Sequence, residues 1–223
     1  MKHFAIITII LILGSCTTYK RSNLDFTVNV RSQNYAAGTI DAQFERILSI
    51  SGLNKGDVVV SYYPVEDAVC LQFRNDFITF YQFWTRKSRA DFIDALERYN
   101  VDYEQRTLAR KNRRSAASYA TVTGYLVWES FNFSSKGRSH PRIDVGYLFR
   151  KNSPYLTITH HEARNINEVT KTEIKNNIKQ IIFLTRAQAA GLADILDQDY
   201  LLGLIPGSFV FPDPIPEWED YSD

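Results

Sequence analysis

Cysteine, methionine, net charge and long apolar runs are all scarce in this chain, and each scarcity excludes something. Of its 223 residues two are cysteines, Cys16 and Cys70, and one is methionine. A disulfide-stapled scaffold is therefore excluded, and a fold of this length must rest on its core. The longest apolar run, Phe4–Leu13, spans about 15 Å as a helix, roughly half a hydrocarbon core, so it is too short for a conventional transmembrane helix. The formal net charge is +1, which gives no global field toward nucleic acid or an anionic surface. No nucleophile elbow, HExxH, Walker A or GxGxxG pattern is present. Gly52-Leu53-Asn54-Lys55-Gly56 is a connector without the P-loop pattern.

What is present begins at the N-terminus. MKHFAIITIILILGSC sets Lys2 and His3 before the apolar run and small residues before a cysteine, the layout of a cleaved signal peptide. Leu13-Gly14-Ser15-Cys16 resembles the lipobox of bacterial lipoproteins. That resemblance implies a diacylglycerol thioether on Cys16, cleavage just before it, and a cell-envelope location on a lipid anchor. An ordinary secretory signal that happens to contain a cysteine is the alternative. Each buried methylene is worth about 0.8 kcal/mol, so two or three acyl chains hold far more firmly than one. Thr17 and Thr18 follow the cysteine where enterobacterial lipoproteins retained at the inner membrane carry an Asp, so the resemblance favours the outer membrane. The covalent lipid is the only group expected; no cofactor and no metal is.

Removing Lys2 leaves 26 − 1 = 25 basic against 25 acidic residues. The charge is uneven. Arg106, Arg110, Lys111, Arg113 and Arg114 crowd one connector, while the tail from Pro206 carries Asp213, Glu217, Glu219, Asp220 and Asp223 with no Lys or Arg. The connector reads as the solvated end of a helix, or as a contact for anionic headgroups or the acidic tail. Prolines 212, 214 and 216 keep the tail extended. Phe209, Phe211 and Trp218 would let it dock; an undocked tail is the alternative.

One phrase occurs twice. FWTRKSRADFIDAL (83–96) and FLTRAQAAGLADIL (183–196) share Phe83/Phe183, Thr85/Thr185, Arg86/Arg186, Ala90/Ala190, Asp94/Asp194 and Leu96/Leu196. In each, a Phe closes an apolar run, a Thr is placed to cap, and a helix follows with Phe92/Leu96 or Leu192/Leu196 on one face. Thr185 and Gln188 have capping-box spacing.

Runs at about 44–51, 57–63, 67–74 and 76–84 precede the first helix; 119–131, 142–150, 155–162 and 179–184 precede the second. Turn residues such as Pro64, Asn75-Asp76, Pro141 and Pro154 separate them. Between 39 and 50, Ile40, Phe44, Ile47 and Leu48 also fit a helical period.

The expected class is α+β: two pseudo-repeated ββββα halves, antiparallel sheets each with a C-terminal helix, packed so that each covers the other's open face. The organisation expected is a signal peptide 1–15, a lipidated tether 16–25, one domain 26–208 of two halves (about 26–114 and 115–208), and an acidic Pro-rich tail 209–223. This strand order is similar to the tandem ββββα units of whirly and PUR-repeat proteins, which implies single-stranded nucleic-acid binding. The short basic-and-small motif that follows the second strand of plant whirly proteins is not in this chain, so no binding residue carries over. An exported anchor also argues against nucleic acid.

His160-His161-Glu162 suggests a metal cluster, but strand alternation puts only His160 and Glu162 on one face, with His140 a remote third candidate; two ligands do not make a zinc site. Cys70 reads as a small buried residue between the two sheets. Tyr119, Thr121, Thr123 and Tyr125 share a face of one run, and Tyr155, Thr157, Thr159 and His161 repeat that character on another. A Tyr/Thr face is an ordinary half-wet sheet surface or a platform for a polymer or protein. The candidate partner-binding residues are therefore Tyr119, Tyr125, Tyr155 and His161. No catalytic residue is assigned. The function expected is a non-catalytic binding or assembly module whose partner is an envelope protein or glycan, with a small envelope hydrolase second and whirly-like nucleic-acid binding third.

Overall fold

The computed structural model describes residues 33–47, 52–109, 117–130, 136–167, 173–174 and 179–207. The expected signal peptide, tether and tail 209–223 lie outside them, as does 110–116 of the basic connector. Strands β1 (Tyr35–Glu45), β2 (Leu53–Tyr63), β3 (Ala68–Asn75) and β4 (Ile78–Thr85) form an antiparallel meander that runs into α1 (Arg86–Glu104). Then come β5 (Ala117–Thr123), β6 (Tyr125–Ser130), β7 (Lys136–Ser139), β8 (Arg142–Arg150), β9 (Ser153–His160), β10 (Asn165–Asn167), β11 (Glu173–Ile174) and β12 (Gln180–Leu184), before α2 (Arg186–Leu196) and α3 (Gln198–Gly203).

The expectation of two ββββα halves with separate sheets fails. All twelve strands belong to one sheet, in the order β11-β10-β7-β6-β4-β3-β2-β1-β12-β9-β8-β5. Two edges that would have been exposed are paired instead: β4 with β6, and β1 with β12. An unpaired edge offers a row of free backbone groups, and joining edges removes that liability.

The registers show how the sheet curls. Glu129↔Lys136, Leu126↔Ser139, Thr123↔Arg142 and Thr121↔Asp144 share one register, so β6/β7 and β5/β8 are two stretches of the same hairpin, interrupted at Gly124. Arg150↔Ser153 and Ile143↔His160 continue into Arg138↔Ile166 with a one-residue shift. The segments β5/β6, β7/β8 and β9/β10 are thus three long, bent runs, each contributing to both arms of the sheet. The bend in the first is Gly124, where a Cβ would lie 2.9 Å from Ile143 Cδ1 and 3.1 Å from the Phe83 carbonyl oxygen. Only glycine permits that approach of three chains.

At one end the bends splay the sheet, leaving β5 without β4 and most of β1 without β12. Helix α1 packs on β4, β5 and β8, and α2 on β1, β9 and β12; the helices also touch each other. Their buried residues are Ser88, Arg89, Phe92, Ala95, Leu96 and Tyr99 in α1, and Ala189, Leu192 and Leu196 in α2. With the inner face of the sheet they form the main core. The phrase occurs twice because the curled sheet opens twice.

Each helix starts on its repeated threonine. Thr85 Oγ1 accepts from Ser88 N at 3.3 Å. Thr185 Oγ1 accepts from Gln188 N at 3.3 Å while Thr185 N donates to Gln188 Oε1 at 2.8 Å, a complete capping box. Arg106, at φ 57°, ends the first helix in the left-handed conformation with its N–H on the Tyr103 carbonyl.

Around the first helix start, Arg89 is 2% exposed. It donates to the Asp67 carboxylate at 2.8 Å, the Asp67 carbonyl at 2.9 Å and Gln198 Oε1 at 2.5 Å. Asp67 also accepts from Arg86 Nε at 2.6 Å and Tyr62 OH at 3.1 Å.

The first strand begins at Tyr35 rather than near 44, because Ala37, Ile40, Ala42 and Phe44 face inward and the two alanines hide the alternation. The helical alternative for 39–50 is overturned over its described residues as far as Glu45.

Candidate functional site

The inner face of the sheet is filled by side chains and helices, so the surfaces offered to a partner are on the outside of the curl. The four residues expected to bind do not come together there. A bulge between Ser118 and Ala120 takes Tyr119 off the threonine face. Its ring lies among Tyr99 and Tyr147 at 6.3 and 5.9 Å, and its hydroxyl donates to Asp102 at 2.7 Å. Burial and that carboxylate push its phenol pKa upward. Tyr125 is 5% exposed, packed with Tyr63, Ala68, Cys70, Phe83 and Val127 and against the His140 ring at 5.1 Å. Tyr155 stands edge-on to Phe183 at 6.3 Å in a separate outer cluster with Leu53, Leu148 and Ile181. Cys70 is buried, its thiol pushed up to about 12 by desolvation, on the outer face of one sheet instead of between two.

His161 does sit in a polar constellation. Its Nε2 is 2.7 Å from Asp144 Oδ2. Arg142 reaches the same carboxylate through Nε at 3.0 Å and Nη2 at 2.6 Å, and Thr121 Oγ1 donates to Oδ1 at 2.8 Å. Burial alone would raise the Asp144 pKa; the hydrogen bonds from Arg142, Thr121 and His161 and the His161 charge outweigh it and bring it down. Three elements build the cluster: β5 supplies Thr121, β8 supplies Arg142 and Asp144, and His161 follows β9. Sequence reasoning missed Asp144, whose only signal is alternation opposite a threonine on a paired strand.

His160 points the other way. It is enclosed, stacked on Phe73 at 5.9 Å, with Nε2 2.5 Å from Gln82 Oε1. Desolvation and the nearby His161 charge hold its pKa down to about 3, so the imidazole is neutral. The two neighbouring histidines therefore cannot share a metal, and among the described residues no group of three His, Cys, Asp or Glu side chains is placed to hold one.

A concavity on the outer face crosses β2, β3 and β4. Asn54, Lys55, Asp57, Val59, Gln72, Arg74, Asp76 and Thr79 line an open groove of about 720 Å³. Asp76 is tied down, accepting from Ile47 N at 2.9 Å and Asn54 Nδ2 at 2.7 Å. Lys55 and Asp57 alternate along β2 on the exposed side, so the groove offers charges of both signs beside neutral amide and hydroxyl groups. No helix among the described residues is long and apolar enough to cross a membrane.

A family described as "Uncharacterised Treponema protein" matches residues 23–203, which includes every described strand and helix. The chain belongs to this family. A protein of Treponema pallidum (strain Nichols), described as "Uncharacterized protein", is 25% identical over 157 residues, covering 70% of this chain and 54% of that protein. The chain thus spans about half the length of this curated relative. No solved structure matches. Membership fixes a bacterial family; it carries no activity across.

Proposed function

We propose that this Treponema-family protein is a lipid-anchored component of the cell envelope, held through acylated Cys16, that acts as a non-catalytic binding or assembly module. The observation that carries the proposal is Leu13-Gly14-Ser15-Cys16 after a basic start and a ten-residue apolar run. The bacterial family supports it, and so does the arrangement of the folded body. A filled interior leaves the outer face for contact, and the β2–β4 groove presents donors, acceptors and both charges, which suits an envelope protein or glycan better than a hydrophobic ligand. The outer membrane is the favoured location, the folded unit is 26–208, and 209–223 is its acidic tail.

A hydrolytic reading has one observation in its favour, the His161–Asp144 pair. There the Thr121 hydroxyl bonds to the carboxylate and not to the imidazole, so it is not in line as a nucleophile. The binding reading is preferred.

Mass spectrometry of the mature N-terminus tests the anchor. A diacylglyceryl Cys16 start is expected, with Cys16→Ala protein moving from the detergent phase to the aqueous phase; an intact, unmodified Met1 start on soluble material would refute it. A photo-crosslinking residue at Val59 tests the groove in intact cells. It should give a discrete adduct that Thr159 does not, and equal adduct patterns at both positions would remove the groove from the proposal.

A further inference from the structure

Two carboxylates face each other across the outer surface. Asp41 of β1 and Asp57 of β2 are directly paired in register, both are exposed, and among the described residues neither has a hydrogen bond or an ion pair. Like charges placed directly opposite destabilise an antiparallel pair. A sequence that keeps such a conflict, where an amide would remove it, breaks a local rule, and such breaks concentrate at functional sites.

The surroundings say what would relieve it. Strand β2 turns Val58 and Val60 into the core, so its outward side chains are Lys55, Asp57 and Val59, in that order along the strand. All three line the groove. Val59 is 38% exposed, a bare apolar surface beside the carboxylates. The other charges of the groove are engaged: Arg74 Nε donates along its own strand to the Asp76 carbonyl at 3.1 Å, and the Asp76 carboxylate is held by Asn54 and Ile47. What β2 presents is therefore a cation, a carboxylate reinforced by Asp41, and an apolar side chain, at successive steps of about 6.8 Å.

That spacing is also the repeat of an extended polypeptide, in which residues i, i+2 and i+4 share a face at the same interval. We propose that the groove takes an extended segment of a partner polypeptide lying along β2, with an acidic residue over Lys55, a lysine or arginine two residues on between Asp57 and Asp41, and an apolar residue two further on against Val59. The cation quenches the opposed carboxylates, and its aliphatic stem covers part of Val59. A glycan fits less well. The aromatic residue of the lining, Phe73, turns its ring inward onto Phe44 and Phe80 at 5.3 and 5.2 Å, so no lining residue offers a ring face for a sugar to stack on. The proposal rests on the groove being a partner-binding surface and narrows its occupant to polypeptide.

Two synthetic peptides of one composition test it on the full chain, one ordered acidic–x–basic–x–photo-leucine and one with the acidic and basic residues exchanged, each made in both chain directions. Adducts formed on β2 and β3 by irradiation are quantified by mass spectrometry. The first order should give at least about fivefold more adduct than the second, since each exposed ion pair is modest and the exchanged peptide sets like charge against like. Asp57→Asn and Lys55→Gln should each reduce that preference and the double variant should abolish it, while Tm holds or, for Asp57→Asn, rises as the opposed charges are relieved. Equal yields from the two orders, or a preference that survives in the double variant, would overturn the proposal. In intact cells the adduct formed from Val59 should be degraded by protease. An adduct cleaved by periodate and resistant to protease would overturn the polypeptide while leaving the groove a binding surface; no discrete adduct would remove that surface and the proposal with it.

Discussion

The two strand–helix junctions share six residues of fourteen and a threonine cap, yet they are bolted to the protein by different means. At the first, Arg86 and the buried Arg89 converge on Asp67 in the β2–β3 turn, and Gln198 of α3 completes the group. At the second, alanine stands at 189 where arginine stands at 89. Arg186 turns outward to Asn100 at 3.1 Å and Glu104 at 2.9 Å and lies over the Tyr103 ring at 4.5 Å. The local phrase sets the turn and the helix start; the neighbours decide what each arginine does. The first junction is held by a buried charge, the second by apolar packing and surface contacts.

That contrast can be broken most severely at Asp67. Asp67→Ala strands Arg89 in the interior and should cost about 3–5 kcal/mol in urea unfolding, since removing one partner leaves an uncompensated charge. A cost under about 1 kcal/mol would mean that the junctions are held alike. Next come the matched leucines: Leu96→Ala and Leu196→Ala should each cost about 2–5 kcal/mol, and a large inequality between them would show that one helix plugs its opening less well. The caps rank third. Thr85→Ala and Thr185→Ala should cost about 0.5–2 kcal/mol, the second more because it also breaks the reciprocal bond from Gln188. Arg86→Ala and Arg186→Ala should change stability least, by under about 1 kcal/mol, because both arginines are substantially exposed.

Much of this architecture could be read from the chain. The repeated phrase marked both helix starts, and alternation in β3, β4, β8 and β9 marked those strands. Alternation also separated His160 from His161, one inside and one out. What could not be read is which edges meet. Nothing in residues 78–83 announces that they pair with 125–130, and a run that looks like one strand from Tyr119 to Phe131 bends at Gly124, whose crowding involves Phe83 and Ile143 from other strands. Tyr119 leaves the threonine face for a local reason, the bulge at Ser118/Ala120, whereas Tyr125 is covered by its neighbours. Asp67 with Arg89, and Asp144 with His161, were missed because their partners stand 22 and 17 residues away, where no helical or strand period connects them.

Among the described residues the junction of β1 with β12 consists of two residue pairs, Gln43↔Phe183 and Phe44↔Ile182. Every other ladder except β4–β6 joins near neighbours in the chain, and such hairpins form in microseconds. Bringing residue 43 to residue 183 costs far more chain entropy than closing any of those hairpins. This short zip should therefore be the last to fasten during folding and the first to release its amide protons to exchange, well before the sheet as a whole comes apart.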